Sequence, residues 1–380
     1  MRRGLRVDSF NPLVLRNKQG IKTAAISDIF PSDLPAKTSS LLPSTSIMAF
    51  DQTTTAAQVV EVYKDTIQGK NVVITGVSPK TFGAEYVAAL APHTKTIIVA
   101  SRSAERAEES IAATRKAHPR ADIRIVEVDL TSGKSIRAAA AKINGFQLPI
   151  HVLLNNAVMI MPETLTHTED GFEHQIGGNY FGHFLFTSLL FPAILASRVT
   201  DDTTQSPEWT PRIVNLTSGS AFWGGEIRWD DMHFKNKPEE YNRYLGYNQS
   251  KTGTALFTVG LVKRYPEILA FSVHPGLARE TNIGRATPTS RLIEMGILNE
   301  DGTSNFFLKT IEQGAATALF AAFDPSVVTH NGDLLSDCAP ASTSLPIPIP
   351  EFFNSPAEAD KLWDAAEAAW DVKFAKVESA

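Results

Sequence analysis

Between Lys70 and Leu335, short runs that are apolar at nearly every position alternate with longer runs whose apolar residues recur every three or four positions. The first kind suits a strand buried on both faces, the second a helix with one face on a core. Asn71–Thr75, Thr96–Ala100, Ile123–Val128, His151–Leu154, Arg212–Leu216 and Leu269–Val273 are the predicted strands. Ser103–Ala117, Thr131–Asn144, Thr168–Ala196 and Tyr241–Tyr265 are the predicted helices. Right-handed crossovers then put helices on both sides of one open sheet, giving an α/β, doubly wound parallel sheet in three layers.

The same pattern divides the chain. Residues 51–339 are expected to form a single domain, with a short capped helix in the segment TTTAAQVVEVYKDTI that begins at Thr53. Residues 340–380 read as a C-terminal appendage, Pro/Ser-rich at first and then helical over Pro356–Trp370, where Leu362, Trp363, Ala366 and Trp370 fall near one face. Residues 1–50 show no sustained period and are expected to be a disordered leader or tail. Arg2, Arg3, Arg6, Arg16, Lys18 and Lys22 would suit an organelle transit peptide, against which stand Asp8, Asp28 and Asp33. A dispensable tail, or translation from Met48, leaves a cytoplasmic protein.

Composition narrows the function classes. With 36 Lys+Arg against 41 Asp+Glu, the net charge of −5 argues against a broad nucleic-acid footprint. The single cysteine, Cys338, excludes an intrachain disulfide and a Cys-rich zinc site, and no metal site is expected. The longest apolar stretch, Phe181–Ala196, is shorter than the ~20 residues a bilayer span needs.

A doubly wound sheet binds ligands beyond the carboxyl ends of its strands, so candidate chemistry is sought there. The first strand runs into Gly76-Val77-Ser78-Pro79-Lys80-Thr81-Phe82-Gly83 and then a helix, a place where backbone N–H groups can meet a pyrophosphate. The second strand is followed by Arg102, which would pair with the 2′-phosphate of NADP, where an acid would bind the 2′-hydroxyl of NAD; the alternative is a solvated arginine. Asp129 either accepts from an adenine amine or caps the next helix. Asn155 ties neighbouring strands or contacts a ribose, the structural role being favoured. Tyr247 and Lys251, four apart, share a helix face. A phenol titrates near pH ~10, so a neighbouring ammonium that favours the phenolate would fit Tyr247 for general acid–base work.

The segments DLTSGKSIRAAAAKI, HVLLNNA, TEDGFEHQIGGNYFGHFLFTSLL, RIVNLTSGSA, YLGYNQSKTGTALF and SVHPG occur in that order. Through them the chain resembles the short-chain dehydrogenase/reductases, a Rossmann-fold family, and especially the retinol-dehydrogenase-like and WW-domain-oxidoreductase-like branch with its fungal relatives. The resemblance implies a catalytic tetrad of Asn179, Ser218, Tyr247 and Lys251. Ser218 would orient the substrate oxygen, Tyr247 would move the proton, Lys251 would hold the nicotinamide ribose and lower the Tyr247 pKa, and Asn179 would hold a water linking Lys251 to solvent. Pro275 and Gly276 match the turn beside the nicotinamide carboxamide, where His274 is structural and Thr281 matches the family threonine one residue late.

Two departures stand out. Lys80 and Thr81 occupy the place of the middle glycine in a turn one residue longer than usual, and Val158 replaces a glycine after Asn155-Asn156-Ala157. Lys80 could compensate by offering charge to phosphate. The leading expectation is an NADP(H)-dependent oxidoreductase, favouring NADP(H) over NAD(H), that interconverts a carbonyl and an alcohol. The alternatives are a nucleotide-sensing or scaffold protein without turnover, and an epimerase or dehydratase. Phe222, Trp223, Trp229 and Phe234, with Ile283, Leu292, Ile293 and Met295, suggest a bulky hydrophobic small molecule, or else pack among themselves. Phe181–Ala196 and Tyr241–Tyr265 match the family's dimer helices, which implies a homodimer unless they are buried within the monomer.

Overall fold

The computed structural model describes residues 50–160, 162–198, 209–278, 280–281, 288–294, 297–345 and 348–375. Of the expected leader over residues 1–50, all but Phe50 lies outside them, as do Ile283 and Met295; Phe50 packs edge-on against Tyr63 and Phe320. Eight strands form one sheet in the order β3-β2-β1-β4-β5-β6-β7-β8. They are β1 Asn71–Thr75, β2 Thr96–Ser101, β3 Asp122–Glu127, β4 Val152–Asn155, β5 Arg212–Leu216, β6 Leu269–His274, β7 Leu334–Ser336 and β8 Ala339–Pro340. All neighbours run parallel except β7 and β8. The order reverses between β1 and β4, which opens a crevice at their carboxyl ends.

Alternation along β1 sorts the core into layers. Val72 and Ile74 join one apolar cluster with the helices α1 Ala56–Ile67, α2 Phe82–Leu90 and α3 Ala104–Ala117. Val73 joins the opposite cluster, with α4 Gly133–Asn144, α5 His183–Leu195 and α6 Arg243–Arg264. The helix α7 Ile311–Phe323 covers the first face, and the C-terminal helix α8 Pro356–Trp370 lies on α5 and α6. The helix starts are chemically marked. Thr55 closes a capping box on α1, Ser103 caps α3, Ser132 caps α4 and Asn242 caps α6.

Three differences from the expected pattern matter. The helix expected over Thr168–Ala196 is broken into His174–Ile176, a π-helical turn Gly177–Gly182 and α5. The strands β7 and β8, of three and two residues, are too short for periodicity to reveal. Residues 288–294 and 297–305 belong to a second, small unit, with a helix Thr289–Glu294, buried Leu292 and an Asp301 turn that accepts from the Thr303 N–H at 2.9 Å.

Candidate active site

The loop after β1 is built by close packing. Gly76 has φ +76°, and a Cβ there would stand 2.5 Å from the Ala157 Cα. A Cβ on Gly83 would stand 2.5 Å from the Gly76 carbonyl oxygen, so the N-terminus of α2 is drawn against the turn. Lys80 keeps the left-handed backbone that a glycine would adopt freely, φ +60°, with its side chain exposed. The Thr81 hydroxyl caps α2 and donates to the Ser78 carbonyl at 2.7 Å, while the Ser78 hydroxyl has no partner among the described residues.

Ser101, which the sequence did not single out, and Asn156 hold this turn. Ser101, at the end of β2, accepts from the Val77 N–H at 2.8 Å and donates to the Val77 carbonyl at 3.0 Å. Asn156 donates its amide to the carbonyls of Thr75 at 2.8 Å and Gly76 at 3.0 Å. Its neighbour Asn155 turns inward, donating to Asn215 Oδ1 at 2.8 Å and Thr187 Oγ1 at 3.1 Å. Asn155 is thus a buried tie between strands and helix, the structural role favoured for it. Asp129 does not cap α4, which Ser132 does; one carboxylate oxygen accepts from the Thr131 N–H at 2.9 Å and the Thr131 hydroxyl at 2.6 Å. Its other oxygen makes no hydrogen bond to a described residue, and Arg102 is exposed with neither a hydrogen bond nor an ion pair among the described residues.

Tyr247 and Lys251 come from α6, and Ser218 from the end of β5. Burial pushes the Tyr247 phenol up to about 12, and a hydrogen bond from Ser218 acts in the opposite direction. Burial pushes the Lys251 ammonium down to about 7. Its Nζ donates to the Leu216 carbonyl at 2.8 Å and stands 5.9 Å from the centre of the Tyr247 ring. Burial is the larger influence on the phenol, and the Lys251 ammonium is engaged by the Leu216 carbonyl. Asn179 is also engaged by the protein. Its Oδ1 accepts from the Met159 N–H at 2.6 Å and its amide donates to the Ser250 hydroxyl at 2.9 Å, so the side chain ties the turn to α6 and keeps one Oδ1 lone pair unused by the described residues.

His183 is a further residue that the sequence did not single out. Its Nδ1 faces the Asn179 carbonyl at 3.0 Å, which can only accept, so Nδ1 carries the proton and Nε2 accepts from the Thr75 hydroxyl at 2.9 Å. Burial pushes this imidazole down to about 4, keeping it neutral. Its signal was its presence as a polar group in an apolar run. His274 accepts the Gly219 N–H at 3.2 Å, which fixes the loop carrying Ser218.

Pro275 follows β6, and Gly276 has φ +81°; a Cβ there would stand 2.8 Å from Cδ of Lys309. Lys309 is a missed residue whose buried ammonium pairs with Asp337 at 2.5 Å beneath this turn. The Thr281 hydroxyl is turned onto the Ala278 carbonyl at 2.8 Å. Of the aromatics expected to surround a substrate, three have packing roles. Phe222 meets Phe353 edge-on, Trp229 bonds Glu358, and Phe234 is fully buried against Tyr241. Trp223 is 54% exposed.

A hydroxyl and a phenol thus meet at the carboxyl end of β5, while the loop after β1 offers a half-buried hydroxyl and a helix N-terminus, and the end of β2 a guanidinium without a partner among the described residues. That donor set suits a nicotinamide nucleotide. The family model described as short chain dehydrogenase matches residues 70–225. The chain is 31% identical over 318 residues to "Short-chain dehydrogenase TIC 32 A, chloroplastic" of Brassica napus, covering 81% of this chain and 92% of that one. It is 30% identical over 321 residues to "Retinol dehydrogenase 14" of Mus musculus, covering 79% and 86%. A short chain dehydrogenase of Escherichia coli CFT073, solved as a complex with NADPH, superposes with a TM-score of 0.52 at 15% identity over 72% of this chain and 98% of that one. The protein is an oxidoreductase acting on CH–OH or C=O groups. It belongs to the short-chain dehydrogenase/reductase family.

Proposed function

We propose that the chain is an NADP(H)-preferring member of the retinol-dehydrogenase-like branch with fungal affinities, acting in the cytoplasm on a bulky hydrophobic carbonyl or alcohol. The observation that carries the reading is the convergence of Ser218, Tyr247 and Lys251 at the ends of β5 and α6. Arg102 would pair with the 2′-phosphate, and the Gly76–Gly83 turn with the Ser78 hydroxyl would take the pyrophosphate. The Pro275-Gly276 turn would lie beside the carboxamide.

The nucleotide supplies or accepts the hydride when bound. The chain's own work is acid–base chemistry and positioning. Ser218 orients the substrate oxygen and hydrogen-bonds the phenol, and Tyr247, held in its protonated form by burial, donates a proton to oxygen as the carbonyl is reduced. Lys251 holds a positive charge near that phenol, and its depressed pKa of about 7 lets it exchange protons near neutrality.

The test is NADPH and NADH titration by fluorescence, followed by a screen of carbonyl compounds with NADPH oxidation as readout. Tight NADPH binding, at least tenfold tighter than NADH, is expected, and Arg102→Asp should reverse that preference. Failure of the wild type to bind either nucleotide overturns the reading. The second reading, a fold retained without turnover, draws on Lys80 and Val158 in the nucleotide turn; binding without oxidation across the screen would favour it.

A further inference from the structure

The π-helical turn Gly177–Gly182 sits between His174–Ile176 and α5 and carries Asn179. A π turn widens the helix and takes carbonyls out of the regular four-residue ladder, so they need partners from elsewhere. Side chains supply them. The Asn179 carbonyl faces His183 Nδ1, and the Phe181 carbonyl accepts the indole N–H of Trp370 at 2.8 Å. In the opposite direction, the Tyr180 phenol donates to the Leu362 carbonyl at 2.9 Å. Trp370 and Leu362 both belong to α8, more than 180 residues away in sequence.

The same helix reaches the other parts of the site. On α6, a Cβ at Gly260 would stand 2.8 Å from the Trp363 ring, and one at Gly253, two residues beyond Lys251, would stand 3.6 Å from Leu362. In the segment between Ser218 and Tyr247, the Trp229 indole donates to Glu358 at 2.5 Å while the Lys361 ammonium lies 3.9 Å over its ring. The Trp370 ring also packs edge-on against Phe172 at 5.0 Å and fills the space beside Gly133, where α4 begins.

We propose that α8 is a positioning element of the active site, in which the Trp370 indole N–H holds the Phe181 carbonyl and so fixes the π turn that presents Asn179 to Ser250 and the helix of Lys251. The effect on turnover rests on the proposed reaction; the effect on the turn does not. Trp370 touches no reacting atom. It acts through Asn179, whose amide reaches Ser250 at 2.9 Å.

Trp370→Phe keeps an aromatic ring and removes the N–H. Phe374→Leu is the packing control: Phe374, in the same C-terminal segment, packs edge-on against Phe184 and Phe191 and at a tilt on Trp363, and makes no hydrogen bond to the turn. Hydrogen–deuterium exchange of the amides of residues 177–183 is the first readout and needs no ligand. Trp370→Phe should exchange there at least tenfold faster than wild type, and Phe374→Leu should not, when compared at equal distance below their melting temperatures. Equal exchange in the two variants overturns the proposal. With benzil as carbonyl probe and NADPH, kcat of Trp370→Phe should fall at least fivefold while KM and the NADPH Kd stay within twofold. Unchanged kcat with a loosened turn would also overturn it. Should Trp370→Phe not fold, Tyr180→Phe removes the neighbouring tie and is read the same way. Wild type that binds no NADPH and reduces no benzil would sink the proposed reaction, while the exchange comparison still decides the clamp.

Discussion

Burial moves Tyr247 and Lys251 of α6 in opposite directions, and each shift has a consequence that can be measured. The folded chain holds Lys251 at about 7 against 10.5 for a free lysine, so between those values the unfolded chain binds more protons than the folded one. Stability therefore rises with pH through that window, and the penalty is present in full below it. Lys251→Met should accordingly melt several degrees above wild type near pH 6, with the gain shrinking as pH climbs towards 10. Circular dichroism melts at a series of pH values check this, and a constant difference would be inconsistent with it. The loss of the bond to the Leu216 carbonyl offsets part of the gain. Tyr247→Phe removes the proton donor without altering the nucleotide turn. Turnover should drop by at least a thousandfold while the NADPH Kd changes less than threefold, as steady-state rates and fluorescence titration would show. At Gly76 the constraint is steric: a methyl group meets backbone 2.5 Å away on a left-handed residue. Gly76→Ala should cost more than about 3 kcal/mol in urea unfolding, because both the clash and the strain apply.

At the scale of elements, the turn between β1 and α2 carries strain that its sequence did not need. A non-glycine residue in the left-handed region costs about 1–2 kcal/mol, and Lys80 sits there at φ +60°. Lys80→Gly should raise stability by about 0.5–1 kcal/mol in urea titration, and its NADPH Kd reports whether the ammonium contributes to phosphate binding. The elements themselves were largely legible. Six strands stood within a residue or two of their apolar runs, because a sheet covered on both faces leaves few polar positions in its central strands to blur them. Tyr247, Lys251 and Ser218 were legible as a spaced motif. What stayed hidden was geometry made by contacts distant in sequence. Asn155 and Asn156 are adjacent and chemically identical, yet one turns into the sheet and the other onto the Gly76 carbonyl. Asn179 looked like a site residue, and its commitment to Met159 and Ser250 depends on a π turn that no period announces. Lys309 lies 33 residues from Gly276 with no motif around it.

For the whole molecule, the faces of α5 and α6 expected to meet a second copy are taken by α8. Phe184 packs on Trp363, and Arg264 lies 4.6 Å over the Trp363 ring while pairing with Asp360 at 2.9 Å. Burying one such large apolar side chain is worth about 1.5–3 kcal/mol, so several together make exchange for a partner chain unfavourable. Equilibrium sedimentation of the purified chain should give a single monomeric species. A dimer held through α5 and α6 would require α8 to leave, and cross-linking at Asp360 would report that. The ends of the sheet carry a separate consequence. On one side β3 presents Asp122 and Arg124, paired at 2.8 Å and each more than a third exposed; on the other, β8 stops after two residues at Pro340, which has no N–H to give. Neither rim offers a bare backbone ladder, since charge guards one and a missing donor closes the other. The sheet is thereby protected from growing strand by strand into a fibre, and concentrated solutions should stay clear.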